Sequence, residues 1–298
     1  MYWRRGSCSC NYRNDLIFMN KIGIIGSGTM GSGIAHTCAL SGFNVLLMDL
    51  NTNLLEKSMK IIDKNLNRQL QKNIITQSEL QHALQMIQTT TEYDSLIDCY
   101  IIIEAAIEDQ LIKEKIFTTL DSCCNKRTIL ATNTSSISIT ALANKTNRPD
   151  KVIGMHFMNP VPIMKLVEIV RGKNTSDITT KKIIECARQM NKKPIECNDS
   201  PGFVTNRILM PMINEAIFCL MEGVGEKEAI DEIMHLGMGH PMGPLKLADL
   251  IGLDICSDIL KVLHQDLKDD KYAPCALLDQ MVAKGHLGRK SNQGFYKY

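Results

Sequence analysis

Residues 21–31 read KIGIIGSGTMG, and this run decides the fold. Positions 21–25 are mostly isoleucine, the composition of a short buried strand. Gly26, Gly28 and Gly31 then fall at the spacing G-x-G-x-x-G, with Ser27, Thr29 and Met30 between them. By itself that spacing is common. Here it follows a strand and precedes a helical apolar pattern over 32–41. In that setting it is a turn that lets the backbone approach a pyrophosphate and aims a helix N-terminus at it. A second strand at 45–48 ends in Asp49. A carboxylate there accepts both ribose hydroxyls and repels a 2′-phosphate. No Arg follows within the next few residues, so the expected cofactor is NAD, with NADP the lesser alternative.

Working outward, 54–73 and 78–87 have helical spacing with Lys, Asn and Gln on the outer faces, a helical pair inserted into the alternating pattern. Strands are expected at 100–105, 128–132, 152–156, 166–170 and 193–197, with helices at 113–121, 137–143 and 179–190. After Asp199-Ser200-Pro201-Gly202 strand patterns cease. Helices are expected at 204–223, 227–234, 244–267 and 274–284. The fold class is therefore α/β: a Rossmann-type dinucleotide-binding domain with a helical-pair insertion over 19–200, then an all-α domain over 201–298. The helix at 204–223 is apolar nearly all round, and Pro211 is expected to kink it. Such a helix needs cover on every side, and a homodimer through this domain is the expected source.

The 298 residues are 44% apolar and 22% charged, with a net charge of +2. That composition gives no general attraction to nucleic acid or membranes, and no apolar run reaches membrane-spanning length. The eleven Cys are scattered without zinc-type pairs, so no metal site is expected and the thiols read as reduced, in a cytoplasmic protein. Residues 1–18 lack a secretory h-region. They read as a disordered extension, a transit segment, or sequence preceding a true start at Met19.

Ligands of open α/β sheets collect at the carboxyl ends of the strands. The candidates there are Glu104, Glu108 and Lys113 after one strand, and Asn133-Thr134-Ser135-Ser136 after the next. Glu108 also reads as a first-turn helix acid, and the serines as N-caps for the helix at 137–143. His156 ends a further strand. Glu168 lies inside the apolar run LVEIV at 166–170, where a lone carboxylate is costly to bury. Adjacent strands would let Glu168 reach the imidazole, fix its tautomer and stabilise an imidazolium. Lys165 and Arg171 alternate onto the other face of the strand, so they are poorer partners.

GSGTMGSGIA, ATNTSS, HFMNPVPIMKLVEIVRG, SPGFVTNRILMPMINEA, GHPMGPLKLADLIGLDIC and GRKSNQGFYKY occur in that order. Over residues 20–298 the chain resembles the 3-hydroxyacyl-CoA dehydrogenases, most closely the short bacterial branch acting on 3-hydroxybutyryl-CoA. The resemblance implies an NAD-binding domain, a helical dimerisation domain and an active site in the cleft between them. It implies His156 as general base in oxidation, Glu168 as its partner, and Ser135 and Asn206 as ligands of the reacting oxygen. It also implies Asn133 beside the nicotinamide, Glu108 and Lys113 at the cofactor, and an acyl-CoA substrate whose phosphates Lys57 and Lys60 could meet. A solvated helix face explains those two lysines equally well. The family often has two aromatics after the His; here the second is Met158. The rivals are a longer-chain enzyme of the same family, a β-hydroxyacid dehydrogenase with a catalytic Lys, and a non-catalytic NAD-binding relative.

Overall fold

The computed structural model describes residues 20–298, so the readings of residues 1–18 lie outside the described part. The chain divides into two compact units, one ending at Asp199 and one spanning Ser200–Tyr298.

The first unit is built on one eight-stranded sheet. Its strands are β1 (Lys21–Ile25), β2 (Asn44–Met48), β3 (Ile87–Thr90), β4 (Ile101–Glu104), β5 (Ile129–Thr132), β6 (Val152–Phe157), β7 (Leu166–Arg171) and β8 (Lys193–Asn198). The order is β3-β2-β1-β4-β5-β6-β7-β8. The pairs from β3 to β6 are parallel, β6 and β7 are antiparallel, and β7 and β8 are parallel again. The central strands β4, β5 and β6 are buried at every residue, as a sheet covered on both faces requires. Strand order reverses beside β1, whose two neighbours β2 and β4 lead away in opposite directions, and a ligand crevice is expected there.

Helix α1 (Thr29–Leu40) follows β1, and the inserted pair is α2 (Thr52–Gln71) and α3 (Gln77–Gln85). Helix α2 buries Leu55, Ser58, Ile62 and Leu66, a stripe at helical spacing that packs on α1. Asn51 caps it, its side chain accepting the Leu54 N–H. Thr76 and Glu79 form a capping box that starts α3. The remaining helices of this unit are α4 (Gln110–Cys123), α5 (Ile139–Ala143) and α6 (Asp177–Gln189).

The expected helix at 78–87 stops early, and β3 follows it as an edge strand. Ile87-Gln88-Thr89-Thr90 has no glycine or proline to mark the change. All four residues pair in register with Val45 to Met48 along the open edge of β2, where β-branched Ile87, Thr89 and Thr90 suit a strand. Helix α5 is capped by Ser138, not by Ser135 or Ser136: the Ser138 hydroxyl accepts the Ala141 N–H. That correction leaves both earlier serines to the preceding turn.

The second unit consists of α7 (Thr205–Met221), α8 (Lys227–Met238), α9 (Pro244–Ile251), α10 (Leu253–Leu267) and α11 (Ala276–Ala283) around a core of Met210, Ile213, Ile217, Leu245, Leu253 and Leu260. Helix α7 runs unbroken through Pro211. It is not apolar all round in its packing: Asn206 and Asn214 are buried, while Ile208 is 66% exposed. The single helix expected at 244–267 is two. Gly252 between them has φ +109, which breaks the helical path and suits glycine alone.

Two buried carboxylates fasten the C-terminus of this unit. Asp231 accepts the Leu245 and Lys246 N–H groups in the first turn of α9, and also the Tyr296 hydroxyl. Asp249 accepts the Phe295 and Tyr296 N–H groups and the Tyr298 hydroxyl. Asp249→Ala leaves three donors without their acceptor, so a loss of about 2–4 kcal/mol is expected. Thermal unfolding checks the loss, and amide exchange at Phe295 and Tyr296 should rise with it. An unchanged melting temperature would contradict the fastening role.

Candidate active site

The glycine loop leaves β1 at the point where strand order reverses. A Cβ on Gly31 would lie 1.8 Å from the Gly26 carbonyl oxygen, so the turn closes only with glycine there. A Cβ on Gly28 would meet nothing within 4 Å. The space over Gly28 is open, and no side chain caps the N-terminus of α1. Both features suit an anionic group lying against this backbone. Asp49 at the end of β2 accepts the Ser27 N–H and hydroxyl through Oδ2, each at 2.6 Å. Its Oδ1 accepts the Leu50 N–H at 2.7 Å. The carboxylate thus ties the first turn of the loop to β2 as well as facing outward.

Gly26, Gly28, Met48, Asp49, Ala106 and Ile112 line a cleft of about 690 Å³ in this unit. Leu50, Ile107 and Leu111 are large apolar side chains left 68–82% exposed on that side of the unit. An apolar cleft continuous with an open helix N-terminus and a carboxylate fits a dinucleotide: a flat ring system, a pyrophosphate and a ribose.

Three further strands end at the same carboxyl edge. Glu104 closes β4 and is fully buried, as is Lys113 in the first turns of α4. Their charged atoms lie 2.6 Å apart. Glu108 is not a first-turn helix acid, because α4 is capped by Asp109, whose side chain accepts the Ile112 N–H. Instead Glu108 Oε1 accepts the Thr134 hydroxyl, the Ser135 and Ser136 N–H groups and the Ser136 hydroxyl. Burial would raise the Glu108 carboxyl. The nearby Lys113 and these hydrogen bonds outweigh burial and hold it below the usual carboxylate range. Asn133 is buried, and its side-chain oxygen accepts the Phe157 N–H at 2.9 Å, joining β5 to β6 next to His156.

His156 and Glu168 are directly opposite in the antiparallel β6–β7 register. Opposed residues of such a pair project to the same face. His156 Nδ1 lies 2.7 Å from Glu168 Oε2, with the residues 6% and 3% exposed. With Nδ1–H donated to the carboxylate, the basic lone pair of the neutral ring is on Nε2. Arg171, on the other face, pairs with Asp177 at 2.6 Å and Glu196 at 3.2 Å. Lys165 is exposed. The alternation of the strand thus separates the carboxylate from both rival cations.

The structure brings Ser135, Asn133, Glu108, Lys113, His156 and Glu168 together along the ends of β4 to β7. Asn206 is buried near the start of α7 in the second unit, its N–H donating to the Gly202 carbonyl. Lys57 and Lys60 are on the exposed side of α2. Sequence reasoning names Glu104 and Thr134 as strand-end candidates but misses Thr132, whose hydroxyl links them. A Glu ending an apolar strand nine residues before a Lys was the available signal for the Glu104–Lys113 pair.

Residues 21–200 match the family model described as 3-hydroxyacyl-CoA dehydrogenase, NAD binding domain, and residues 202–298 match that of the same family's C-terminal domain. A probable 3-hydroxybutyryl-CoA dehydrogenase of Deinococcus radiodurans is 53% identical over 93% of this chain and 100% of its own length. The mitochondrial hydroxyacyl-coenzyme A dehydrogenase of Homo sapiens is 38% identical over 95% of this chain and 92% of its own. The crystal structure of an (S)-3-hydroxybutyryl-CoA dehydrogenase from Ralstonia eutropha superposes with a TM-score of 0.91 at 47% identity, covering 94% of this chain and 99% of that one. With both domains matched and the dinucleotide cleft in place, the chain belongs to the 3-hydroxyacyl-CoA dehydrogenase family, NAD-dependent oxidoreductases acting on a CH–OH group.

Proposed function

We propose that this protein interconverts 3-hydroxybutyryl-CoA and acetoacetyl-CoA, with His156 and Glu168 as its acid–base pair. The observation that carries the reading is the 2.7 Å contact between His156 Nδ1 and Glu168 Oε2 at the strand edge that also bears the dinucleotide cleft. The short-chain substrate is supported by the relatives at about half identity, which are named for 3-hydroxybutyryl-CoA. The relatives named for hydroxyacyl-coenzyme A with no chain length are less similar, 38% identical for that of Homo sapiens, and the longer-chain reading stands second.

Gly26, Gly28, Thr29, Met30 and Gly31 would hold the NAD pyrophosphate, and Asp49 the adenosine ribose. When bound, NAD supplies the two-electron acceptor for the C3–H bond. The remaining work falls to side chains. In oxidation His156 Nε2 takes the C3 hydroxyl proton, and the Glu168 carboxylate stabilises the imidazolium so formed. In reduction the same imidazolium returns a proton to the oxygen. Ser135 donates a hydrogen bond to that oxygen, where charge develops. Asn206 is proposed as its second ligand, and Asn133 as a neighbour of the nicotinamide, on the family likeness alone. Lys57 and Lys60 stay candidates for the CoA phosphates on the same basis.

The helical unit leaves Ile208, Met221, Val224, Ile233, Leu236 and Met238 between 43% and 73% exposed. We infer that a second copy covers this apolar surface, giving a homodimer. A cytoplasmic location is part of the same reading. The nine described cysteines are free thiols, including Cys123 and Cys124 with sulfurs 3.6 Å apart. No helix among the described residues is long and apolar enough to cross a membrane.

The test is an absorbance assay of NADH oxidation with 3-oxoacyl-CoA substrates of increasing chain length. The expected result is the highest kcat/KM with acetoacetyl-CoA, and a rate with NADPH at least about tenfold lower. A maximum at long chains would support the second reading. No turnover with any 3-oxoacyl-CoA would contradict the proposal.

A further inference from the structure

Glu104 and Lys113 form a fully buried ion pair outside the acid–base pair. A buried ion pair is commonly no more stabilising than a well-packed apolar pair of the same volume, so its presence calls for another reason. The hydrogen bonds around it supply one. Glu104 Oε1 accepts Lys113 Nζ at 2.6 Å and the Ala106 N–H at 2.7 Å. Glu104 Oε2 accepts the Thr132 hydroxyl at 2.6 Å, and Thr132 Oγ1 in turn accepts the Thr134 N–H at 3.1 Å. Lys113 Nζ also reaches the Ala106 carbonyl at 3.3 Å and Glu108 Oε2 at 3.4 Å. Glu108 Oε1 then gathers four donors from residues 134–136, including the Ser135 N–H at 2.8 Å.

Two chains of contacts therefore run from Glu104 to the turn that carries Ser135. One passes through Lys113 and Glu108, the other through Thr132 and Thr134. An apolar pair could fill the same space, but it could hold neither Glu108 nor Thr132.

We propose that Glu104 and Lys113 are positioning residues, which fix the Ser135 turn through Glu108 and Thr132 and thereby set the turnover rate. The inference rests on the reading of Ser135 as a ligand of the reacting oxygen. A displacement of about 1 Å at such a donor costs up to about a hundredfold in rate.

The experiment measures kcat and both KM values in five forms: wild type, Lys113→Met, Glu104→Gln with Lys113→Met, Ser135→Ala, and all three substitutions together. The paired variant removes the charge that Lys113→Met alone leaves on buried Glu104, and thermal unfolding of both checks that each is folded. The expected result is a fall of about 10- to 100-fold in kcat for the paired variant, with KM for acetoacetyl-CoA within about twofold. In the Ser135→Ala background the same pair of changes should cost less than about threefold, because they act through Ser135.

An unchanged kcat in the paired variant would overturn the proposal. So would a full multiplication of effects in the triple variant, which would mean that the pair acts independently of Ser135. If Ser135→Ala itself kept wild-type kcat, the reading of Ser135 would fail first, whatever the pair did.

Discussion

His156→Gln is expected to lower turnover by about a thousandfold or more while NADH binding stays within about twofold of wild type. The glutamine side chain is close in size to imidazole and can keep a hydrogen bond to Glu168, so the sheet is left intact. It cannot take a proton. The C3 hydroxyl would have to lose its proton to water, and the charge that builds on oxygen would meet no base. The proposed pyrophosphate and ribose contacts come from the glycine loop and Asp49, which line the cleft beside β1 and β2, so cofactor affinity is expected to hold. Single-turnover measurement alongside fluorescence titration with NADH separates the two effects. A variant that kept more than about a tenth of wild-type turnover would remove His156 from the chemistry.

Glu168→Gln is expected to cost about a hundredfold or more in turnover, with a smaller effect on folding. The carboxylate is only an acceptor and so forces the Nδ1–H tautomer of His156. A carboxamide can present either its oxygen or its NH₂ to Nδ1. With the NH₂ presented, the neutral ring carries its proton on Nε2, where it cannot act as base. The counter-charge for the imidazolium is lost in both arrangements. Glu168→Ala goes further. It leaves a cavity in a strand buried on both sides and removes the ring's partner, so a loss of about 2–4 kcal/mol in stability accompanies the loss in rate. Thermal unfolding and turnover measured on both variants distinguish the electrostatic part from the packing part. Equal turnover in Glu168→Gln and wild type would contradict the orienting role.

The parts of the fold with local rules were legible in the sequence. Isoleucines before G-x-G-x-x-G marked β1, and the alternation of LVEIV put Glu168 on the face opposite Lys165 and Arg171. Two strands joined by a short loop made a meeting of His156 and Glu168 an expectation, and the sheet register places them directly opposite. The parts set by distant contacts were not legible. β3 is only four residues long and follows a helix with a single residue between them, so its β-branched Ile87, Thr89 and Thr90 did not stand out from the helical spacing before them. The break at Gly252 lies within a run of helix-favouring residues, and one glycine did not reveal a left-handed backbone. Glu104 and Thr132 are 28 residues apart and meet only because β4 and β5 are neighbours. The sequence therefore showed Glu108 and Ser135 as separate strand-end candidates. It did not show that one carboxylate oxygen gathers the backbone of the other's turn.

The acid–base claim is tested most directly by the pH dependence of the single-turnover rate in both directions on the same enzyme. One imidazole serving as base in oxidation and acid in reduction gives opposite limbs: oxidation fails as pH falls and reduction fails as pH rises. Glu168→Gln should lower the rate in both directions, because the imidazolium loses its counter-charge and the neutral ring its orienting partner. Limbs that fall in the same direction, or rates that are unchanged in Glu168→Gln, would contradict proton transfer by the His156–Glu168 pair.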